Sequence, residues 1–122
     1  PKTAWPPTYE GPQSIRMEAN PIPLKPGMVI SDEPAMYRTG EYGIRTENMV
    51  LVREDSETEY GKFYGFDTLT LCYIDTKLII VPMLSVRERA WINKYHQMVY
   101  DLLSPHLNED EKAWLKEKTT EI

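Results

Sequence analysis

Two glutamates, Glu33 and Glu47, stand in the run PGMVISDEPAMYRTGEYGIRTENMVLV, residues 26–52. Each lies in an apolar, strand-like setting, where an ionised carboxylate is costly unless a cation or a hydrogen bond compensates it. Two carboxylates on neighbouring strands can converge on a divalent cation, because hard cations take oxygen ligands. Alternation along a strand from Tyr42 puts Arg45, Glu47, Met49 and Leu51 on one face, and Ile44, Thr46, Asn48 and Val50 on the other. Arg45 and Glu47 therefore point the same way, and an arginine so placed can orient a carboxylate ligand. On spacing alone the plainer alternative stays open: Glu47 is paired with Arg45 or a lysine and binds no metal.

The elements that must position these residues follow from the pattern around them. Seven prolines fall within residues 1–27, so that stretch is extended or looping chain rather than helix. Residues 28–84 read as strands: Met28–Ile30, Tyr42–Arg53, Thr68–Ile74 and Leu78–Val81, supported by β-branched Ile44, Val50 and Val52. Tyr37–Gly40 supplies turn chemistry between the first two. The charged residues 53–62 read as a solvated hairpin connection. From residue 85 the period changes. Ser85 with Glu88 forms a capping box. Apolar Ala90, Trp91, Tyr95, Met98, Val99, Leu102 and Leu103 then recur at helical spacing. Ser104-Pro105 ends that helix, and Asn108 with Glu111 caps a second one carrying Ala113, Trp114 and Leu115. Trp91, Tyr95 and Trp114 are expected as helix-packing anchors.

Composition narrows the function classes. At 122 residues the chain is about one domain with one core. A net charge of -5 gives no basic footprint for nucleic acid. No apolar run is long enough to span a membrane, and no signal peptide opens the chain. The single cysteine, Cys72, excludes an internal disulfide framework and suits a reducing, cytoplasmic compartment. It is expected as a core thiol in a strand. His96 is expected on a helix surface or in helix packing, and His106 in a loop or cap. The chain begins at Pro1 rather than methionine, as a processed product or a recombinant segment would.

The run EGPQSIRMEANPIPLKPGMVISDEPAMYRTGEYGIRTENMVLV, with LTLCYIDTKLII and WINKYHQMVYDLLSPHLNEDEKAWL, resembles the C-terminal part of aminopeptidase P. These are Xaa-Pro aminopeptidases of the pita-bread metallopeptidase family. The resemblance implies an α+β fold: half of a pita-bread catalytic domain, a curved antiparallel sheet with a C-terminal helical extension. It divides the chain into a divergent leader (1–9), the catalytic half (10–84) and the extension (85–122). It also implies two divalent metals, commonly manganese, held by two aspartates, a histidine and two glutamates. A metal-bound hydroxide would attack the bond before proline in peptides with proline at the second position. Glu33 matches the glutamate of the family's EPG motif. Glu47 matches that of R-x-E-N, the bridging ligand, with Arg45 orienting it.

The departures from the family pattern bear on activity. The aspartate ligands belong to an upstream half that this sequence does not include. Tyr9 stands where the family has the histidine of H-E-G-P, and Lys2 falls where the histidine ligand is expected. Ala35 replaces a usual glycine, and Tyr73 a frequent proline. At most two of five ligands remain, so metal would be held weakly or not at all by this chain, and no catalytic residue is assigned with certainty. Three functions follow: a fragment of an Xaa-Pro aminopeptidase, inactive alone; a non-catalytic relative kept for binding or assembly; or a half that complements a partner chain. A half-sheet without its partner half exposes edges and apolar surface, so self-association, or pairing with the upstream half of the same protein, is expected.

Overall fold

The computed structural model describes residue 11, residues 13–15 and residues 17–122. The leader 1–9, with Lys2 and Tyr9, lies outside the described residues. Contacts divide the chain into two compact units between Thr70 and Leu71.

The first unit is built on one long antiparallel pairing. Strand β1 (Val29–Asp32) pairs with β4 (Asn48–Thr58), which pairs with β5 (Gly61–Thr68), giving a three-stranded sheet in the order β1-β4-β5. Strands β2 (Ala35–Arg38) and β3 (Tyr42–Arg45) form a separate hairpin. Its turn passes through Gly40 at φ 75°, a left-handed conformation that a side chain would strain. Ile30, opposite Val50, and Val52, opposite Phe66, are buried at the centre of the sheet. Leu24 and Met28 pack against them. The β-branched shapes of Ile30, Val50 and Val52 suit a pleated surface.

Three expectations for this unit are corrected. Tyr42–Arg53 is not one strand: it breaks at Thr46–Glu47 into β3 and β4, opposite the break at Glu33–Pro34. Proline has no N–H to give a ladder, and here only its carbonyl is used, accepting from Thr46 N–H at 3.2 Å. Residues 53–62 form the expected solvated hairpin, but most of them are strand rather than connection. β4 runs to Thr58 and β5 starts at Gly61, leaving a turn of Glu59 and Tyr60. This ribbon is largely exposed on both faces, so no hydrophobic alternation marks it. Charged pairs lie along it: Arg53 with Asp67 (2.9 Å) and Asp55 (2.8 Å), and Lys62 with Glu54 (3.8 Å). Finally, Ala35–Arg38 is strand, and the turn lies just beyond it.

The second unit, from Leu71, carries helices α1 (Val86–Leu103) and α2 (Glu109–Lys118). Both expected capping boxes form: Ser85 Oγ accepts from Glu88 N–H, and Asn108 Oδ1 from Glu111 N–H, with each glutamate returning a bond. α1 stops before Ser104-Pro105 as expected, and a single 3-10 turn holds Ser104–His106. Tyr95, Val99 and Leu115 form the core, flanked by Ile74, Met98 and Leu107. Of the expected strand Thr68–Ile74 only Thr68 is strand, as the end of β5, and the expected strand Leu78–Val81 is absent; extended chain and two 3-10 turns, Thr76–Leu78 and Val81–Met83, replace them. The reason is where the backbone bonds go. Tyr95 Oη donates to Cys72 C=O at 2.8 Å, and Ile74 N–H donates to His96 Nε2 at 3.1 Å. Two adjacent helix side chains thus serve alternate residues of the extended segment, where a neighbouring strand would otherwise be needed. The same arrangement leaves Cys72 exposed, not in a strand core as expected.

Together these elements make an α+β fold of antiparallel sheets and two helices. No helix among the described residues is long and apolar enough to cross a membrane.

Candidate metal centre

The register brings the two glutamates together. β1 ends with Asp32 opposite Asn48, and β2 begins with Ala35 opposite Arg45. Counting across the gap places Glu33 opposite Glu47 and Pro34 opposite Thr46. The hairpin from Val29 to Leu51 therefore keeps one register throughout, and its pairing is interrupted at the two glutamates alone with their neighbours. Like charges directly opposite on a sheet are destabilising, so something must offset them here.

Arg45 does so. Its Nη1 lies 2.9 Å from Glu33 Oε2 and 3.8 Å from Glu47 Oε2. The other carboxylate oxygen of Glu33 accepts from Ser31 Oγ at 2.7 Å. Both glutamate side chains are about one-third exposed, at 33% and 36%. Arg45 is held in turn by Tyr37, whose hydroxyl accepts from Nε at 2.9 Å and also from Nη2. The Tyr37 hydroxyl first, and then the charges of Glu33 and Glu47, raise the Arg45 guanidinium above its ordinary pKa. It stays charged at any pH the fold survives.

Tyr37 reaches Arg45 because residue 43 is glycine. The two residues face each other in the register, and a Cβ at Gly43 would stand 2.5 Å from Tyr37 Cδ1. The ring occupies the space that any side chain would take. Ser31, Tyr37 and Gly43 were not among the residues picked out by sequence reasoning. Their signal was available once the register was known: they sit two or four residues from one of the two glutamates, on its side of the hairpin. Alternation did find the Arg45–Glu47 pairing, though not the break between them.

The described residues do not by themselves fit a two-metal centre. Among them, no three histidine, cysteine, aspartate or glutamate side chains come together. A dinuclear site needs more ligands than two carboxylates, and both carboxylates here already face a guanidinium. The remaining candidates belong to the second unit. His96 is fully buried on α1; its Nε2 accepts from Ile74 N–H, and its Nδ1 is buried without a hydrogen-bond partner. Burial lowers its pKa, and the bond accepted from Ile74 N–H needs Nε2 unprotonated. His106 lies in the 3-10 turn after α1. Trp91 stacks on Tyr95 at 5.5 Å within α1, and Trp114 meets Tyr73 edge-on at 5.4 Å; both indoles are half exposed, so of the three expected packing anchors only Tyr95 lies in the core.

Comparison with known proteins bears on this geometry. Residues 7–54 match metallopeptidase family M24, and residues 62–122 match the C-terminal region of peptidase M24. A probable Xaa-Pro aminopeptidase P of Coprinopsis cinerea is 45% identical over 93% of this chain and 20% of its own length. Aminopeptidase P1 of Lotus japonicus is 36% identical over 93% of this chain and 18% of its own. The crystal structure of the X-prolyl aminopeptidase of Caenorhabditis elegans, a cytosolic enzyme with a di-nuclear active site, is similar at a TM-score of 0.73. That likeness carries 32% identity over 81% of this chain and 17% of that one. The chain thus spans about a fifth of the length of these relatives. With its sheet, its helices and both halves of its sequence matched, the chain belongs to the M24 metallopeptidases and corresponds to the C-terminal part of the Xaa-Pro aminopeptidases among them.

Proposed function

We propose that this chain is the C-terminal portion of a metal-dependent Xaa-Pro aminopeptidase, which removes an N-terminal residue preceding proline. Glu33 and Glu47 are two ligands of its metal pair, with manganese the metal, and Arg45 sets their direction. Residues outside this sequence complete the centre, the compartment is cytoplasmic, and the isolated chain is inactive. The observation that supports this reading most is the uninterrupted register that sets Glu33 opposite Glu47 beside one arginine. When bound, such metals lower the pKa of water and polarise the scissile carbonyl. The chain's own part is to hold two carboxylates on one face at the end of a sheet. The test mixes the chain with a polypeptide carrying the upstream half, adds Mn2+, and follows cleavage of an Xaa-Pro peptide. Activity should need both pieces and should vanish with Glu47→Ala. Turnover by the 122-residue chain alone, or complemented activity indifferent to Glu33 and Glu47, would refute the reading.

A second reading, binding or assembly without catalysis, draws on one feature. Among the described residues β5 is an outer strand of its sheet, and Phe63, Tyr64 and Phe66 on it are exposed. Unpaired strand edges with apolar side chains invite partners. On either reading the isolated chain self-associates.

A further inference from the structure

We propose that Arg45 is itself the resident cation of the Glu33–Glu47 pair in this chain, and that its guanidinium competes with a divalent metal for the same two carboxylates. The proposal rests on the reading of Glu33 and Glu47 as cation ligands and adds what occupies them otherwise.

The hairpin register opposes two like charges at one step, which without a cation would push the strands apart. The strands do not separate. Their pairing resumes in the same register on both sides, and Thr46 N–H still bonds to Pro34 C=O between them. The positive charge that permits this is Arg45, whose single nitrogen Nη1 faces both carboxylates. Its remaining edge, Nε and Nη2, is given to the Tyr37 hydroxyl. The guanidinium is therefore anchored from behind and presented forward in one pose, as its planar fork favours. Glu33 is engaged at both oxygens, by Ser31 and by Arg45. With no third acidic, histidine or cysteine side chain gathered there among the described residues, nothing present outbids the guanidinium. A dication approaching these oxygens would meet a like charge at contact distance. Binding then requires Arg45 to turn away, and Tyr37 is the latch that resists the turn.

In a completed centre Arg45 directs carboxylates that metal holds; in the isolated chain the same guanidinium occupies them, and if it merely supported them here its removal would weaken metal binding, the opposite sign. The experiment titrates the 122-residue chain with Mn2+ and follows the paramagnetic resonance signal of the free ion. Arg45→Met, checked for native circular dichroism, should bind Mn2+ about fivefold or more tighter than the unaltered chain, the effect of lifting one adjacent like charge in a solvated site. Adding Glu47→Gln to Arg45→Met should cancel the gain. Tyr37→Phe, which keeps the charge and frees the latch, should fall between, and it serves as the deciding variant if Arg45→Met fails to fold. No gain in the deciding variant overturns the proposal. If that happens while Glu33→Gln or Glu47→Gln abolishes binding by the unaltered chain, the glutamates remain cation ligands and only the competition fails. If no variant takes up Mn2+, the competition is overturned, while the ligand role of Glu33 and Glu47 in a centre completed from outside this sequence is decided by the complementation assay.

Discussion

Glu33 and Glu47 would repel each other as bare opposites on a sheet, and the residues around them all act on that repulsion. Arg45 neutralises it, Ser31 shares the charge of Glu33, Tyr37 fixes Arg45, and Gly43 gives Tyr37 room. The chain of dependence makes glycine at 43 a requirement rather than a preference. Gly43→Ala should destabilise the chain by about 1 kcal/mol, at the low end for overpacking because the hairpin is exposed. In a Tyr37→Ala background the same substitution should cost much less, since the ring it strikes is gone. Chemical denaturation of the four proteins gives the coupling, and a cost at Gly43 independent of Tyr37 would contradict the steric account.

Among the elements, α1 is the one whose side chains replace a missing strand. Tyr95 and His96 hold Cys72 and Ile74 by their backbones, and both are buried on the helix. Tyr95→Phe should therefore cost about 1 kcal/mol for a lost hydrogen bond to a part-buried carbonyl. Amide exchange should quicken from 71 to 75 before it quickens along α1. His96 makes the same element sensitive to acid. Its Nε2 must stay unprotonated to accept from Ile74, and burial lowers its pKa in the folded chain. The unfolded chain thus binds the proton more readily. The stability that neutral His96 contributes is complete above its unfolded value, about 6.5. It is lost as pH falls below that value and through the lower folded one. His96→Gln keeps an acceptor that cannot be protonated, so the difference in stability between the two proteins should shift in favour of the variant on acidification from pH 7 to pH 5. A pH-independent difference would show that His96 does not titrate in the fold. At the start of α1, Ser85→Ala removes the side chain that caps Glu88 N–H and should cost about 1 kcal/mol.

For the whole molecule, the question is how a chain of this extent relates to relatives about five times longer. The exposed aromatic edge of β5 predicts association at micromolar concentration, read by analytical ultracentrifugation; a clean monomer would contradict it. Much of this molecule was legible without a structure. Both capping boxes, the end of α1 at Ser104-Pro105, the α+β class and the pairing of Arg45 with Glu47 all rest on neighbours a few residues apart, where local chemistry decides. The charged ribbon from Arg53 to Lys62 hid its strands, because an exposed ladder needs no hydrophobic alternation. The β-like run through Cys72 became extended chain, because helix side chains supplied its hydrogen bonds. The sequence by itself determined that Glu33 and Glu47 belong to one hairpin and that Arg45 accompanies Glu47. Only the tertiary structure decided that the two glutamates stand opposite each other, because register depends on which residues pair across the turn at Gly40. It also decided that Tyr37 holds the arginine between them, because that contact needs the empty space at Gly43 on the facing strand.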